Sequence, residues 1–351
     1  MAKKRVAIAL SGGVDSSVAA SLLQDEGYEV IGITMRLWTE ETERQRNSGQ
    51  ALQNIRDAEQ TYLTMGIPFH IIDLENEFKH HVVDYFCTEY NRGRTPNPCV
   101  VCNRDMKFGL LLDYAISLGA DYLATGHYVS VEHFDNVYHL LKGSDREKDQ
   151  SYMLYTLRQD QLARLLFPLC KHHKTEVRKL AQKKGLPTAY KASSQDICFI
   201  TRDYGSFLSR YHPTTPGDIV DRQGKVMGKH RGTAFYTVGQ RHGLGIATTM
   251  PIYITRIESE TNRIVVAGEE EIFRSTLVAS ELNWIEGKPP TERMAVSARI
   301  RYRSPEVAAT IYPQANSVEV MFQRPQRAVA PGQSVVFYQG NEVIGGGIIQ
   351  A

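Results

Sequence analysis

Val6-Ala7-Ile8-Ala9-Leu10-Ser11-Gly12-Gly13-Val14-Asp15-Ser16-Ser17 changes character in its middle. Five apolar residues stop at a serine and two glycines. A helical pattern with Val14, Val18 and Leu22 on one face then runs to Gly27. Strand, tight turn and helix in this order point unpaired backbone N–H groups and the positive end of a helix dipole at one spot. Without a Cβ, Gly12 and Gly13 let the backbone turn sharply and approach an anion closely. No Gly-Lys-Ser/Thr follows at the spacing of a Walker loop, and a dinucleotide fingerprint needs a third glycine that is missing. A plain Gly-Gly turn ahead of a helix is the competing reading, but it gives the serines and Asp15 nothing to do. The stretch reads as an anion cradle.

Outward from it, apolar β-branched runs recur at Val6–Leu10, Val30–Met35, Phe69–Leu74 and Tyr122–Thr125. Helical patterns lie near 15–26, 51–65, 76–90 and 103–118, with Gly27, Gly66 and Gly119 where a helix should stop. Alternating strand and helix predicts an α/β fold, a doubly wound parallel sheet whose strand ends open on one ligand crevice. The texture changes after about residue 205, where prolines and glycines punctuate short alternating runs. From about 276 the runs Ala295–Arg303, Ala308–Tyr312, Ser317–Phe322, Val335–Tyr338 and Val343–Ile349 predict a β-barrel or sandwich. The expected domains are 1–205, a small β-rich unit over 206–275, and a barrel over 276–351. The charged stretch Thr39–Gln50 reads as a mobile loop.

At 351 residues, 42% hydrophobic and 23% charged, the chain has the composition of a multidomain globular protein. No run of apolar residues is long enough to span a membrane, and the N-terminus enters the first strand without room for a signal peptide, which predicts a cytoplasmic protein. The net charge of +2 says little. Two local runs say more: 222–241 holds five basic and no acidic residues, and 171–185 holds six basic residues against Glu176 alone. Such runs suit a polyanion, or are solvated surface.

Five cysteines are too few, and odd in number, for a disulfide scaffold. Cys87 and Cys170 lie in apolar patterns and read as buried small hydrophobes. Cys99 and Cys102 follow the stiff segment Arg94-Thr95-Pro96-Asn97-Pro98 and lead into a helix, where a dipole would depress a thiol pKa. A single CxxC is compatible with redox chemistry, half a zinc site, or accident. Cys198, in Ser194-Gln195-Asp196-Ile197-Cys198-Phe199-Ile200, is read by itself as a core cysteine or as a thiol that emerges and withdraws.

The run Ser11–Ser17 resembles the pyrophosphate-binding loop of ATP pyrophosphatases. Taken with Gly93-Arg94-Thr95-Pro96-Asn97-Pro98-Cys99-Val100-Val101-Cys102-Asn103, Ala124-Thr125-Gly126-His127-Tyr128, Ser194–Ile200 and Gly239-Gln240-Arg241-His242-Gly243-Leu244-Gly245, it resembles the tRNA-specific 2-thiouridylases over the first 245 residues. The resemblance implies ATP-dependent sulfur transfer to the wobble uridine of tRNA. It implies that Ala9, Leu10, Ser11, Gly12, Gly13, Val14, Asp15 and Ser16 hold ATP, with Met35 and Gly126 at the adenosine end and magnesium on the triphosphate. Cys198 would carry the incoming sulfur as a persulfide and Cys102 would act as nucleophile, ending in a disulfide or releasing sulfide. A disulfide needs Cα atoms roughly 4.4–6.8 Å apart, so a loop would move. The sulfur would come from a cysteine desulfurase or a relay protein.

The resemblance further places Asn97, Pro98 and Cys99 on the target base, His127, Lys148, Asp149 and Gln150 on the tRNA nearby, and Arg301, Tyr302 and Gln333 on the tRNA from the barrel. Period two along 295–303 predicts Arg299, Arg301 and Arg303 on one face, a guanidinium ridge for phosphates. Some family members carry Asp at the position of Cys99. With cysteine there, Cys99, Cys102 and Cys198 form a three-thiolate set that an iron–sulfur cluster would use. Rival readings are another adenylating enzyme such as a lysidine synthetase or an amidotransferase-type synthetase, a redox or iron–sulfur binding protein, and a non-catalytic RNA-binding module. The first has no need of two loop cysteines, the second leaves the cradle without chemistry, and the third explains neither cysteine motif.

Overall fold

The computed structural model describes residues 3–40, 50–191, 197–200, 204–211 and 215–350. Most of the expected loop at 39–50, and Ser194, Gln195 and Asp196 of the Cys198 motif, lie outside the described residues. Strands β1 (Arg5–Ala9), β2 (Glu29–Arg36), β3 (Phe69–Asp73), β4 (Tyr122–Ala124) and β7 (Leu165–Leu166) form a parallel sheet in the order β3-β2-β1-β4-β7. The chain winds outward from β1 to β3, then returns to place β4 on the other side of β1. That reversal opens a crevice at the carboxyl ends of β1 and β4, where open α/β sheets bind ligands.

Period two along β1 explains its burial. Ala7 packs into a cluster with Val100, Phe108 and Leu111, while Val6 and Ile8 pack on the opposite face against Val18, Ala19 and Leu23 of α1 (Val14–Asp25). Helix α2 (Gln50–Met65) lies against β2, where Gly32 leaves room for the Tyr62 ring. The helix expected near 103–118 begins earlier, as Pro98–Val101, a π-helical stretch Cys102–Leu110, and Leu111–Ser117. Both cysteines of the pair are therefore inside the helical run rather than ahead of it.

The middle sheet runs β10 (Tyr253–Glu258), β11 (Arg263–Ala267), β8 (Gly217–Val220), β9 (Val226–His230). Six strands then close into a barrel: β12 (Phe273–Trp284), β15 (Val318–Arg327), β14 (Val307–Pro313), β13 (Met294–Arg299), β16 (Ser334–Gln339) and β17 (Glu342–Ile349), with β17 pairing back to β12. The hairpin β5 (Val129–Phe134) and β6 (Val137–Lys142) comes from the first part of the chain yet joins the barrel sheet, pairing Leu141 with Glu342. Its alternating pattern was open to a sequence reading; its partner was not.

Two charge expectations change. β13 ends at Arg299, and a turn in which the Ser304 N–H donates to the Arg301 carbonyl at 3.1 Å follows, so no ridge of three guanidiniums forms. Arg299 turns inward toward Glu306 at 3.3 Å and Asp149 at 3.8 Å, Arg301 donates to the Ala328 carbonyl at 2.7 Å, and Arg303 is exposed. The basic runs are also partly neutralised, Lys174 by Asp15, Lys184 by Asp25, Arg222 by Glu271 and Lys229 by Asp218. Among the described residues no helix is long and apolar enough to cross a membrane.

Candidate active site

At the carboxyl end of β1, Gly12 takes φ +70°, and a Cβ there would meet the Asn54 carbonyl oxygen at 2.5 Å. The loop thus lies directly on α2 and tolerates only glycine. Lys191 Nζ ties the two together, donating to the Gly12 carbonyl and to Asn54 Oδ1 at 3.0 Å each, and pairing with Asp57. Helix α1 starts from an extended Gly13, which has no side chain to cap it, and the Ser16 and Ser17 hydroxyls turn back onto the Gly13 carbonyl at 3.1 and 2.9 Å. Its first N–H groups are left for a ligand. Both Asp15 carboxylate oxygens accept from Lys174 Nζ at 2.5 Å, and Oδ1 also accepts from the Tyr128 hydroxyl at 2.7 Å. Burial, then the Asp15 charge, keeps the Tyr128 phenol protonated.

Gly126, just past β4, closes the cradle: a Cβ on it would lie 2.8 Å from the Ser16 nitrogen. Met35, half-buried, stands near the end of β2. Ala9 to Ser16, Met35 and Gly126 are therefore brought together along the edge of three adjacent strands. Lys174 and Lys191 were not singled out from sequence. Their only signals were a place in the second basic run and a place at the head of the Cys198 motif.

Two of the thiols stand on the helical run that begins at Pro98. Asn97 caps the helix, its Oδ1 accepting from the Val100 N–H at 3.4 Å, with Pro98 in the first turn. Cys99 lies in that first turn, and Cys102 is buried one turn on. Cys198 is held by its neighbour Phe199, fully buried against Phe78 and Phe86 with ring centroids 5.8 and 5.4 Å away. Cys99 and Cys198 are exposed, whereas Cys102 is buried. Burial raises the Cys99 thiol, pushes Cys102 up to about 11 and Cys198 up to about 12. Desolvation of the thiolate is the largest cause at each of the three. All five cysteines are free.

The Cys198 thiol also feels the charge of Cys102 and Cys99, which raises it further. One cation opposes burial at all three: Lys107, half-buried, one π-helical turn beyond Cys102. After burial, the same Lys107 holds His127 down, so His127 stays neutral. Gly126 adjoins His127 and abuts Ser16. His127 packs on Phe108, in the π-helical stretch that begins at Cys102, so the cradle and the cysteine helix touch there. The sequence signal for Lys107 was its spacing of five from Cys102, legible only once the helix is known to be wide.

The residues expected on RNA divide by exposure. Asn97, Pro98 and Cys99 stand together at the helix start, and Lys148 is exposed. His127 is buried between Phe108 and Phe167, its Nδ1 2.7 Å from Thr125 Oγ1. Asp149 is buried, accepting from the N–H groups of Gly143 and Ser151 at 3.1 and 3.3 Å, and Gln150 Oε1 accepts from the Tyr128 N–H at 3.0 Å. Tyr302 is half-buried over Tyr152. Arg301, Arg303, Arg324 and Arg327 line one groove of about 530 Å³ with Phe273. Of these, Arg327 has a carboxylate near it, Glu269 at 3.6 Å. Gln333 donates to backbone carbonyls at Thr95 and Pro96.

A parallel sheet with a glycine cradle at its switch point, and a helix bearing two cysteines packed beside it, defines a nucleotide-binding α/β domain. Comparison with known proteins agrees. The tRNA methyl transferase HUP domain family matches residues 4–202, the tRNA methyl transferase PRC-barrel domain 205–268, and the aminomethyltransferase β-barrel domain 274–349. The tRNA-specific 2-thiouridylase MnmA of Carboxydothermus hydrogenoformans is 46% identical over 99% of this chain and 98% of its own. That of Symbiobacterium thermophilum is 47% identical over 99% of this chain and 92% of its own. A 4-thiouridine synthetase solved with RNA and ATP aligns at 20% identity and a TM-score of 0.37, covering 59% of this chain and 49% of that one. The chain belongs to the tRNA-specific 2-thiouridylase family.

Proposed function

We propose that this protein catalyses ATP-dependent 2-thiolation of the wobble uridine in the tRNA anticodon stem-loop. The carrying observation is a contact between two walls: Gly126 abuts Ser16 of the anion cradle, and His127 beside it packs on Phe108 of the helical run that carries Cys99 and Cys102. A carbonyl oxygen is a poor leaving group, so the uridine 2-oxygen first attacks the α-phosphorus of ATP and pyrophosphate leaves. Ala9 to Ser16 and Gly126 hold the nucleotide, with Met35 at its adenosine end. Magnesium fits here as the companion of the triphosphate, with Asp15 the carboxylate at hand. The N–H groups at the start of α1 and the cations Lys174 and Lys191 favour the departing pyrophosphate.

Sulfur arrives on Cys198 as a persulfide from a cysteine desulfurase or a relay protein. Its terminal sulfur attacks C2 of the adenylated base, AMP departs with the former uridine oxygen, and the Cys102 thiolate attacks Cys198 Sγ. The products are 2-thiouridine, AMP and a Cys102–Cys198 disulfide; the two electrons come from the thiol pair, which an external thiol must restore. Lys107 favours the thiolate of Cys102. Asn97, Pro98 and Cys99 face the flipped base, whose extrusion costs a few kcal/mol. His127 and the segment Lys148 to Gln150 form the floor and rim nearby. Arg301 and Tyr302 present the barrel to tRNA, and the arginine groove takes its phosphates.

Cys99 supports a second reading, because with it the pocket offers three thiolates to an iron–sulfur cluster, which would supply an iron able to bind sulfide. Among the described residues, the His, Cys, Asp and Glu groups that converge within 4.8 Å are His139, Glu286 and Glu342, and the three thiols do not reach that spacing. Incubation with ATP, a sulfur source and unmodified tRNA, followed by nucleoside mass analysis, tests the function. 2-Thiouridine is expected from the native enzyme and none from Cys102→Ser; thiolation by Cys102→Ser would contradict the thiol roles. Iron and sulfide assay of anaerobically purified protein decides between persulfide and cluster.

A further inference from the structure

Thr95 is where all three parts of the molecule meet. Its N–H donates to the Pro331 carbonyl at 2.7 Å, and its hydroxyl lies 3.4 Å from the Thr237 hydroxyl of the middle region. Gln333 Nε2 donates to the Thr95 carbonyl at 2.9 Å and to the Pro96 carbonyl at 3.3 Å, one hydrogen for each. Gly332 takes φ +89° in the same turn, and a Cβ there would lie 3.0 Å from both the Thr95 nitrogen and Arg94 Cβ. Beside it, Arg94 pairs with Glu89 at 2.6 Å and donates to Gln350 Oε1 at 3.1 Å. The barrel turn at 331–333 therefore grips the backbone of 94–96 on both its donor and its acceptor side.

What it grips is the approach to the thiol pocket. Pro96 and Pro98 have no N–H, so this segment fixes itself poorly through its own donors and depends on what its carbonyls meet. The same prolines make it stiff, so a shift at Pro96 is passed to the cap residue Asn97 and on to Cys99. Gln333 is half-buried with both amide hydrogens engaged, which leaves its NH₂ nothing to offer RNA.

We propose that Gln333 is a positioning residue for sulfur transfer, through which the docked barrel sets the pose of Asn97, Pro98 and Cys99 by holding the carbonyls of Thr95 and Pro96. This rests on the thiolation reading and gives Gln333 a task other than touching tRNA. Gln333→Glu keeps the shape but turns an oxygen toward two carbonyl oxygens; Gln333→Ala removes the grip. Both variants are expected to lower kcat for thiolation at saturating tRNA by about tenfold or more, as misplaced reacting groups do. The tRNA Kd and melting temperature should stay near those of the native protein. In the absence of tRNA, the rate of iodoacetamide reaction at Cys99 should change while that at Cys170, outside the pocket, should not. A raised tRNA Kd with unchanged kcat at saturation would overturn the proposal and return Gln333 to the RNA surface, as would unchanged kcat together with unchanged Cys99 reactivity. Absence of 2-thiouridine with the native protein would fault the thiolation reading instead, leaving the Cys99 comparison to decide the grip.

Discussion

Gly126 has no side chain because the Ser16 amide occupies that place, 2.8 Å from where a Cβ would be. The neighbour is backbone, which cannot swing aside. Gly126→Ala is therefore expected to push β4 and α1 apart at the cradle, to lower the melting temperature, and to lower tRNA-dependent pyrophosphate release by about a hundredfold in the protein that remains folded. Lys107 acts on charge rather than shape. With burial pushing Cys102 up to about 11, the thiolate is scarce at neutral pH, and loss of the nearby cation makes it scarcer. Lys107→Met should move the pH profile of Cys102 alkylation to higher pH, and Lys107→Arg should restore it; coincident profiles would remove Lys107 from the pocket. The cradle and the cysteines were legible in sequence because their chemistry is written in adjacent residues. Lys107, Lys174 and Lys191 were not, since each reaches its target only through the packing of separate helices and loops.

The barrel shows how an element's end decides what its charges do. Had β13 continued to residue 303, three arginines would share a face; it stops at Arg299, and the three part company. Arg299 sits between the carboxylates of Asp149 and Glu306, but Glu306 also pairs with Lys142 at 2.8 Å and Asp149 accepts from Gly143 and Ser151, so Arg299→Ala should cost only about 1 kcal/mol of stability, read by denaturant unfolding. Arg303 and Arg324 are exposed at the groove. Arg303→Ala and Arg324→Ala should leave stability alone and weaken tRNA binding. Each should also flatten its log–log salt dependence by about one unit for every phosphate the protein no longer neutralises. An unaltered slope would take the groove out of the interface. The strands of the parallel sheet were readable because burial on both faces leaves continuous apolar runs. The helix start was misplaced because Pro98 and Cys99 look like loop, yet Pro98 is favoured in a first helical turn.

For the whole molecule, residue patterning separates a sheet domain from two β regions but carries no sign that β5 and β6 extend the barrel, or that the turn at 331–333 grips the cysteine loop. Such pairings between distant segments leave no periodic trace. The assembled chain also buries thiols, which sets its response to alkali. Burial first, then Asp84, pushes Cys87 up to about 12, and Cys102 is pushed up to about 11, against an ordinary value of 9.0. Below that ordinary value both folded and unfolded chains keep these protons. Above it the unfolded chain releases them first, so stability falls as pH rises from about 9 toward 11. Melting temperature should decline across that window, less steeply in Cys87→Ala.

The central claim, that a nucleotide-activated uridine oxygen and a mobile sulfur meet in one crevice, is tested most directly by isotope. Unmodified tRNA carrying heavy oxygen at the 2-position of the wobble uridine is incubated with enzyme, ATP and a sulfur donor. The heavy oxygen should appear in AMP, in step with 2-thiouridine. Unlabelled AMP alongside 2-thiouridine would contradict the account.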